Sequence, residues 1–155
     1  MPIRTAEYLY SKYWDGRLPV DPEAIARAAG VTVNFDPDMG EVFGRFERVD
    51  GKPHIYINSR EGKRRQRFSI AHELGHFALR HGNSFVDTAK QFVEVPRRLV
   101  ELQANTFALE LLIPGFAVDI LIDKRNITSI KRLSEQFHVG QGAMTIKLGQ
   151  MGWVS

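Results

Sequence analysis

The chain has no cysteine in its 155 residues, which excludes disulfides and any metal held by thiolate. A bound metal must therefore be held by imidazole, carboxylate or water, and the ligand search narrows to five histidines and the acids. Long hydrophobic runs are also missing. No stretch approaches the roughly 20 apolar residues of a membrane span, and the N-terminal segment carries Arg4, Glu7, Lys12 and Asp15 where a signal peptide would have an apolar core. A cytoplasmic protein with no membrane partner is expected. Nor is there a strong excess of one charge: Lys and Arg number 21 against 18 Asp and Glu, a net charge of +3. That balance is compatible with an anionic partner, but it falls short of the basic excess that marks nucleic-acid-binding domains, so direct nucleic-acid binding is not expected. What is present is an ordinary globular mixture, 43% hydrophobic and 25% charged. It suits one domain over residues 1–155 with a core of useful size.

Hydrophobic periodicity predicts an α+β chain. Ile3 to Trp14 reads as an amphipathic helix. A second helix is punctuated by Asp21 as N-cap, Pro22 at its first position and Gly30 beyond its end. Val31, Val33 and Phe35 alternate with polar residues as in a strand. Two more strands, Val42 to Arg48 and His54 to Asn58, flank Asp50-Gly51, a hairpin signal. A small antiparallel sheet is expected. From Arg65 to Arg80 the pattern is helical, with Gly82 as the expected stop.

This helix contains His72-Glu73-Leu74-Gly75-His76, a His-Glu-x-x-His segment. Residues four apart stand one above the other on a helix, about 6 Å along its axis, so both imidazoles can reach one tetrahedral ion. Glu73 then falls beside that ion, placed as a general base to take a proton from water activated there. The surrounding pattern agrees. Phe68, Ala71, Leu74, Gly75, Ala78 and Leu79 spread over a broad apolar arc, leaving a stripe of Arg65, Ser69, His72, Glu73, His76 and Arg80. A polar stripe on a buried helix must face a cleft, an ion or hydrogen-bond partners, since an unpaired buried polar group costs roughly 1–3 kcal/mol.

Three downstream acids compete as third ligand: Glu94, Glu101 and Glu110. Glu94 precedes Pro96, whereas Glu101 and Glu110 lie on a helix read from Arg97 to Ile113 and closed by Pro114. Glu101 shares a face with Ala104, Asn105 and Ala108, small residues that permit close approach to the first helix. Glu110 is nearly opposite. Asn105 can also accept a hydrogen bond from the outer ring nitrogen of a ligating histidine, the support such ligands usually have. Glu101 is the expected third ligand, giving one Zn2+ per chain on His72, His76 and Glu101.

The runs Arg67-Phe68-Ser69-Ile70-Ala71-His72-Glu73-Leu74-Gly75-His76, Glu101-Leu102-Gln103-Ala104-Asn105-Thr106-Phe107-Ala108 and Leu111-Leu112-Ile113-Pro114 together resemble the ImmA/IrrE family of bacterial metallopeptidases. The resemblance extends to Leu18-Pro19-Val20-Asp21-Pro22, to Ile55-Tyr56-Ile57-Asn58 and to Phe137-His138-Val139. It implies a small zincin-like metallopeptidase domain: a short antiparallel sheet packed on helices, an active-site helix and a helical C-terminal tail. It further implies a zinc endopeptidase with Glu73 as catalytic base. The implied partner is a protein substrate, an Xre-type helix-turn-helix repressor or an antitoxin-like protein, whose cleavage derepresses stress-response, mobile-element or toxin-antitoxin genes.

The oxyanion donor is not fixed by sequence: Tyr56, Arg80 and His81 are candidates by type alone. Strand His54 to Asn58 is a possible open edge for extended substrate, or an ordinary edge strand. The cluster Lys63-Arg64-Arg65-Gln66-Arg67 lacks interleaved aromatics and reads as a solvated helix start or a docking surface for an acidic partner. Helices from Ser129 to Phe137 and Gln141 to Met151, with a turn at Val139-Gly140, give residues of about 127–151 a helix-turn-helix look. The rival reading is a DNA-binding or protein-binding regulator with a structural or degenerate zinc site. Its recognition helix would offer Gln141, Thr145, Lys147 and Gln150, little charge with which to grip phosphates. A helical pair packed beneath the catalytic domain is the expected role of the tail.

Overall fold

A computed structural model describes residues 1–82, 84–87 and 95–154, with side chains for 1–82 and 98–154. Glu94 lies outside the described residues. The elements run α1 (Pro2–Tyr13), α2 (Pro22–Ala28), β1 (Thr32–Asp36), β2 (Gly44–Val49), β3 (Lys52–Asn58), α3 (Lys63–Ala78) and β4 (Ser84–Asp87). They continue as α4 (Val95–Leu112), α5 (Gly115–Asp123), α6 (Ile130–Phe137) and α7 (Gln141–Gln150). The α+β class and the small zincin-like scaffold are as expected.

The caps act as their residue types predict. Asp21 accepts from the Ala24 amide at the start of α2, and Gly30 leaves that helix at φ +91°. Asp50 and Gly51 both hold positive φ, 53° and 77°, the requirement of the tight turn that joins β2 to β3.

The sheet order is β1-β3-β2-β4, and here the expectation of a purely antiparallel sheet is corrected. β3 inserts between β1 and β2, pairing antiparallel with β2 but parallel with β1, Val33 opposite Ile55. Side-chain alternation is the same in either orientation, so the sequence pattern does not distinguish them. The His54 to Asn58 strand is consequently an interior strand bonded on both sides, not an edge. One face of the sheet buries Val33, Phe46, Ile55 and Ile57 toward α2 and α3. The other carries Arg45, Glu47, His54 and Tyr56, joined by an Arg45–Glu47 ion pair of 3.1 Å and by the Arg45 guanidinium 4.0 Å over the Tyr56 ring.

Helix α4 lies along α3, with α1 against its other side. Their approach is close because Gly75 has no side chain: a Cβ there would meet Phe107 Cδ1 at 3.0 Å and Ala104 Cα at 3.3 Å. Ala104 and Ala108 are both fully buried at this contact, as the small-residue face predicts. Among the described residues no single helix is long and apolar enough to cross a membrane.

The tail is the helical pair expected, and it is fastened to the body by two polar anchors. The Arg64 guanidinium donates to the Val139 carbonyl at 2.7 Å, and Arg67 donates to His138 and Phe137 carbonyls at 3.2 and 3.0 Å. These satisfy the last carbonyls of α6, which ends at His138 in the left-handed region. Lys147, the one charged residue of the supposed recognition helix, is buried and paired with Glu110. Glu110 also accepts from the Tyr10 hydroxyl at 3.0 Å and the Gly115 amide at 3.1 Å.

Candidate metal centre

Helix α3 buries the middle of its polar stripe: Ser69, His72, Glu73 and His76 are all buried, with Glu73 1% exposed and His76 0%, while Arg65 and Arg80 at its ends are exposed. The two imidazoles meet at right angles, ring centroids 4.8 Å apart. From α4, Glu101 reaches between them. One carboxylate oxygen lies 2.7 Å from His72 Nε2 and the other 3.1 Å from His76 Nε2. Glu110, on the opposite face of α4, is committed to Lys147 and Tyr10 and takes no part. The choice between the two acids follows from the 100° step of the helix.

The outer ring nitrogens are held by other side chains. His72 Nδ1 is 2.8 Å from Asn105 Oδ1, the contact expected from their spacing. His76 Nδ1 is 2.9 Å from His81 Nδ1, and His81 Nε2 is 2.8 Å from Gln103 Oε1. An amide oxygen only accepts, so His72 donates to Asn105 through Nδ1, and Nε2 is left to face the Glu101 carboxylate, where its lone pair is available to a cation placed between them. The same logic makes His81 a donor to Gln103 through Nε2 and an acceptor for His76 through Nδ1. Burial holds His81 below the ordinary imidazole value, and this favours the neutral ring that the chain of bonds requires.

His81 reaches this position because of how α3 stops. Arg80 adopts φ 58°, its amide bonds Phe77 carbonyl, and the His81 amide bonds back to His76 carbonyl at 3.0 Å. This is a six-to-one helix ending with arginine where glycine is usual, two residues before the Gly82 expected to end the helix. Sequence reading offered His81 only as an oxyanion candidate. Tyr56, another of those candidates, stands on the outer face of the sheet beneath Arg45 and does not face Glu73.

Strand β2 forms the opposite wall. Gly44 faces Glu73 so closely that a Cβ would meet its Cγ and Oε2, each at 3.1 Å. A glycine at the head of β2 thus leaves room for the glutamate, a requirement that the sequence pattern did not signal.

The nearest ligand atoms of His72, His76 and Glu101 all lie within 4.8 Å of one another. Metal–ligand bonds near 2.0 Å in a tetrahedron put ligand atoms about 3.3 Å apart, so this cluster needs little adjustment to close on one ion. Two imidazoles and a carboxylate, each imidazole oriented by an outer partner, is also the donor set of catalytic zinc centres that keep a fourth position open. The residues fit a metal ion.

A helix-borne His-Glu-x-x-His completed by a glutamate of a neighbouring helix is the donor arrangement found in zinc metallopeptidases. The chain belongs to the family of the IrrE N-terminal-like domain, whose profile matches residues 26–148. It is 33% identical over 98 residues to the radiation response metalloprotease IrrE of Deinococcus deserti, a match covering 61% of this chain and 34% of that protein. Similarity to the metallopeptidase ImmA of Bacillus subtilis is 29% over 118 residues, 74% of this chain and 68% of that one. An uncharacterized immunity region protein of Bacillus phage phi105 is 33% identical over 78 residues, covering 50% of this chain and 49% of the phage protein. The chain thus spans about a third to two thirds of the length of these relatives. A solved structure described as a Mycobacterium tuberculosis transcriptional regulator shares the fold, with a TM-score of 0.61 at 17% identity over 95% of this chain and 46% of that one.

Proposed function

We propose that this chain is a zinc-dependent endopeptidase acting in the cytoplasm on a protein of a regulatory system, an Xre-type repressor or an antitoxin-like protein. The observation that carries the reading is the convergence of His72 Nε2, His76 Nε2 and the Glu101 carboxylate beside a buried Glu73. Named relatives of two kinds support the substrate class: metallopeptidases and a phage immunity-region protein.

In this reading His72, His76 and Glu101 hold the ion, and Glu73 is the catalytic base. The chemistry a zinc ion would supply there is Lewis acidity, which would polarise a scissile carbonyl and lower the pKa of a water to about 7. Glu73 is the carboxylate placed to take a proton from an attacking water and to deliver it to the leaving amine. Gly44 gives the carboxylate its place, and the wall formed by β2 keeps bulk water from it. Asn105 and His81 hold the two imidazoles so that Nε2 points inward in each.

The test is a pair of measurements on the purified chain. Metal analysis after zinc-replete expression should find about one zinc per chain. Incubation with an Xre-type repressor should give a defined fragment that chelator abolishes, and Glu73→Gln should keep the metal and lose the fragment. A metal-free protein, or unchanged cleavage by Glu73→Gln, would overturn the reading. The regulator alternative is weakened because Lys147 of the tail, and Arg64 and Arg67 of α3 that face the tail, are spent on internal contacts.

A further inference from the structure

A cavity of about 910 Å³ lies between α1, the end of β2 and the end of α3, and none of the described histidines lines it. Its floor is apolar, formed by Leu9, Phe77 and Ala78. Its rim is basic: Arg4 from α1, Arg48 from β2 and Arg80 from the turn after α3. Among the described residues none of these arginines is ion-paired, although other surface arginines of the molecule are. Arg48 lies over the rings of Phe46 and Phe77, at 5.9 and 5.5 Å, so its guanidinium is held at the rim by stacking. Arg80 is fixed there by the left-handed turn that ends α3. Three like charges around one apolar hollow repel one another and gain only if an anionic partner arrives.

The hollow is aligned with the metal centre. β2 runs from Gly44, against Glu73, to Arg48 at the rim, four residues or about 13 Å of strand. α3 runs the same way, with Phe77 directly after His76. A substrate segment that reaches both Glu73 and the hollow must therefore span about 13 Å, at least four extended residues.

We propose that this hollow is a docking site for an acidic segment of the protein substrate, with an apolar side chain on the Leu9–Phe77–Ala78 floor and carboxylates on Arg4, Arg48 and Arg80. The choice of a protein occupant rests on the endopeptidase reading above; the acidic and apolar character rests on the lining alone. The site gives the enzyme a means of selecting substrate that does not depend on the residues beside the cut bond.

The experiment uses the full chain carrying Glu73→Gln, so that nothing is cleaved, and a short fluorescent peptide of alternating glutamate and leucine. Fluorescence anisotropy should show binding that weakens as salt rises. A lysine–leucine peptide should not bind, and a glutamate–serine peptide should bind more weakly. Adding Arg4→Gln, Arg48→Gln and Arg80→Gln should reduce affinity roughly tenfold or more, as expected for three exposed ion pairs. The salt dependence and peptide series are read on the protein with all three arginines, so they stand even if the triple variant does not fold. Equal binding of the lysine peptide, salt-independent binding, or a preference for duplex DNA or anionic vesicles over the acidic peptide would overturn the proposal. Peptide docking by the Glu73→Gln chain together with no cleavage of any protein by the zinc-loaded parent chain would instead remove the endopeptidase reading and leave the site, so the two failures are distinguishable.

Discussion

The Nδ1 atoms of His76 and His81 lie 2.9 Å apart, so one histidine of the metal motif is held in place by a second imidazole rather than by a carboxylate. A neutral acceptor orients His76 without adding negative charge to a centre that already contains Glu73 and Glu101. His81→Ala removes that acceptor and lets the His76 ring turn. Zinc affinity is expected to fall roughly 10–100-fold, the usual effect of losing such a partner. Gln103→Ala should do the same to a lesser degree, since it acts on His76 only through His81. Competition against a chromophoric chelator measures both, and an unchanged affinity in His81→Ala would assign His81 some other role.

Gly44→Ala tests the fit between β2 and the glutamate. The added methyl would meet Glu73 Cγ and Oε2 at 3.1 Å, and a carboxylate at the end of a side chain can swing aside. The fold should therefore survive, helped by the roughly 0.5–1 kcal/mol that alanine gains over glycine in a strand. Zinc should still bind, because His72, His76 and Glu101 are untouched. Cleavage should drop about a hundredfold, the scale of a base displaced by an ångström. Parallel loss of zinc and activity would place Gly44 in the support of the ligands instead.

The two acids of α4 should separate cleanly. Glu101→Ala is expected to lose the metal while the chain stays folded. Glu110→Ala leaves Lys147 buried without its partner and deprives Tyr10 and the Gly115 amide of an acceptor. A broken buried pair costs about 3–5 kcal/mol, so this variant should melt well below the parent yet bind zinc normally wherever it is folded. Burial and the Glu110 carboxylate push the Tyr10 phenol far above its ordinary value, so Tyr10 stays a donor throughout the range in which the protein is handled. Thermal unfolding and chelator competition on both variants decide the matter, and the reverse pattern would exchange the roles of Glu101 and Glu110.

What the sequence discloses here is local. The helices carrying the histidines and Glu101, the Asp21 cap and the Asp50-Gly51 turn follow from residues a few positions apart, and the Asn105 contact with His72 is legible only because Asn105 lies one turn beyond Glu101 on the same face. Pairings across long separations were not legible. The parallel match of β1 with β3, the Gly44–Glu73 contact and the Lys147–Glu110 pair join segments whose meeting depends on the whole packing. Two shorter elements were missed for local reasons as well. α5 begins at Gly115 behind Pro114 with no capping side chain, and β4 has only four residues, so neither displays the usual start or length signals. The stop of α3 was misplaced because the left-handed residue is Arg80, whose side chain gives no hint of that conformation.

The basic cluster at the head of α3 allows a last discrimination. If Arg64 and Arg67 serve chiefly to hold the carbonyls of Phe137, His138 and Val139, their removal should loosen the tail and nothing else. Arg64→Ala with Arg67→Ala is expected to cost about 1 kcal/mol per guanidinium, given their partial exposure. Amide exchange should speed up in α6 and α7 while the amides of α3 below His72 keep their protection. Zinc affinity should not change, because the ligands lie beyond the first turn of α3 and on α4. The regulator reading makes the opposite demand: these arginines would grip phosphates, so the parent chain would shift duplex DNA in a salt-dependent way and the double variant would not. Internal hydrogen bonds already occupy these donors, so neither protein should shift DNA, and a shift by the parent that the variant loses would restore the tail as a nucleic-acid-binding element.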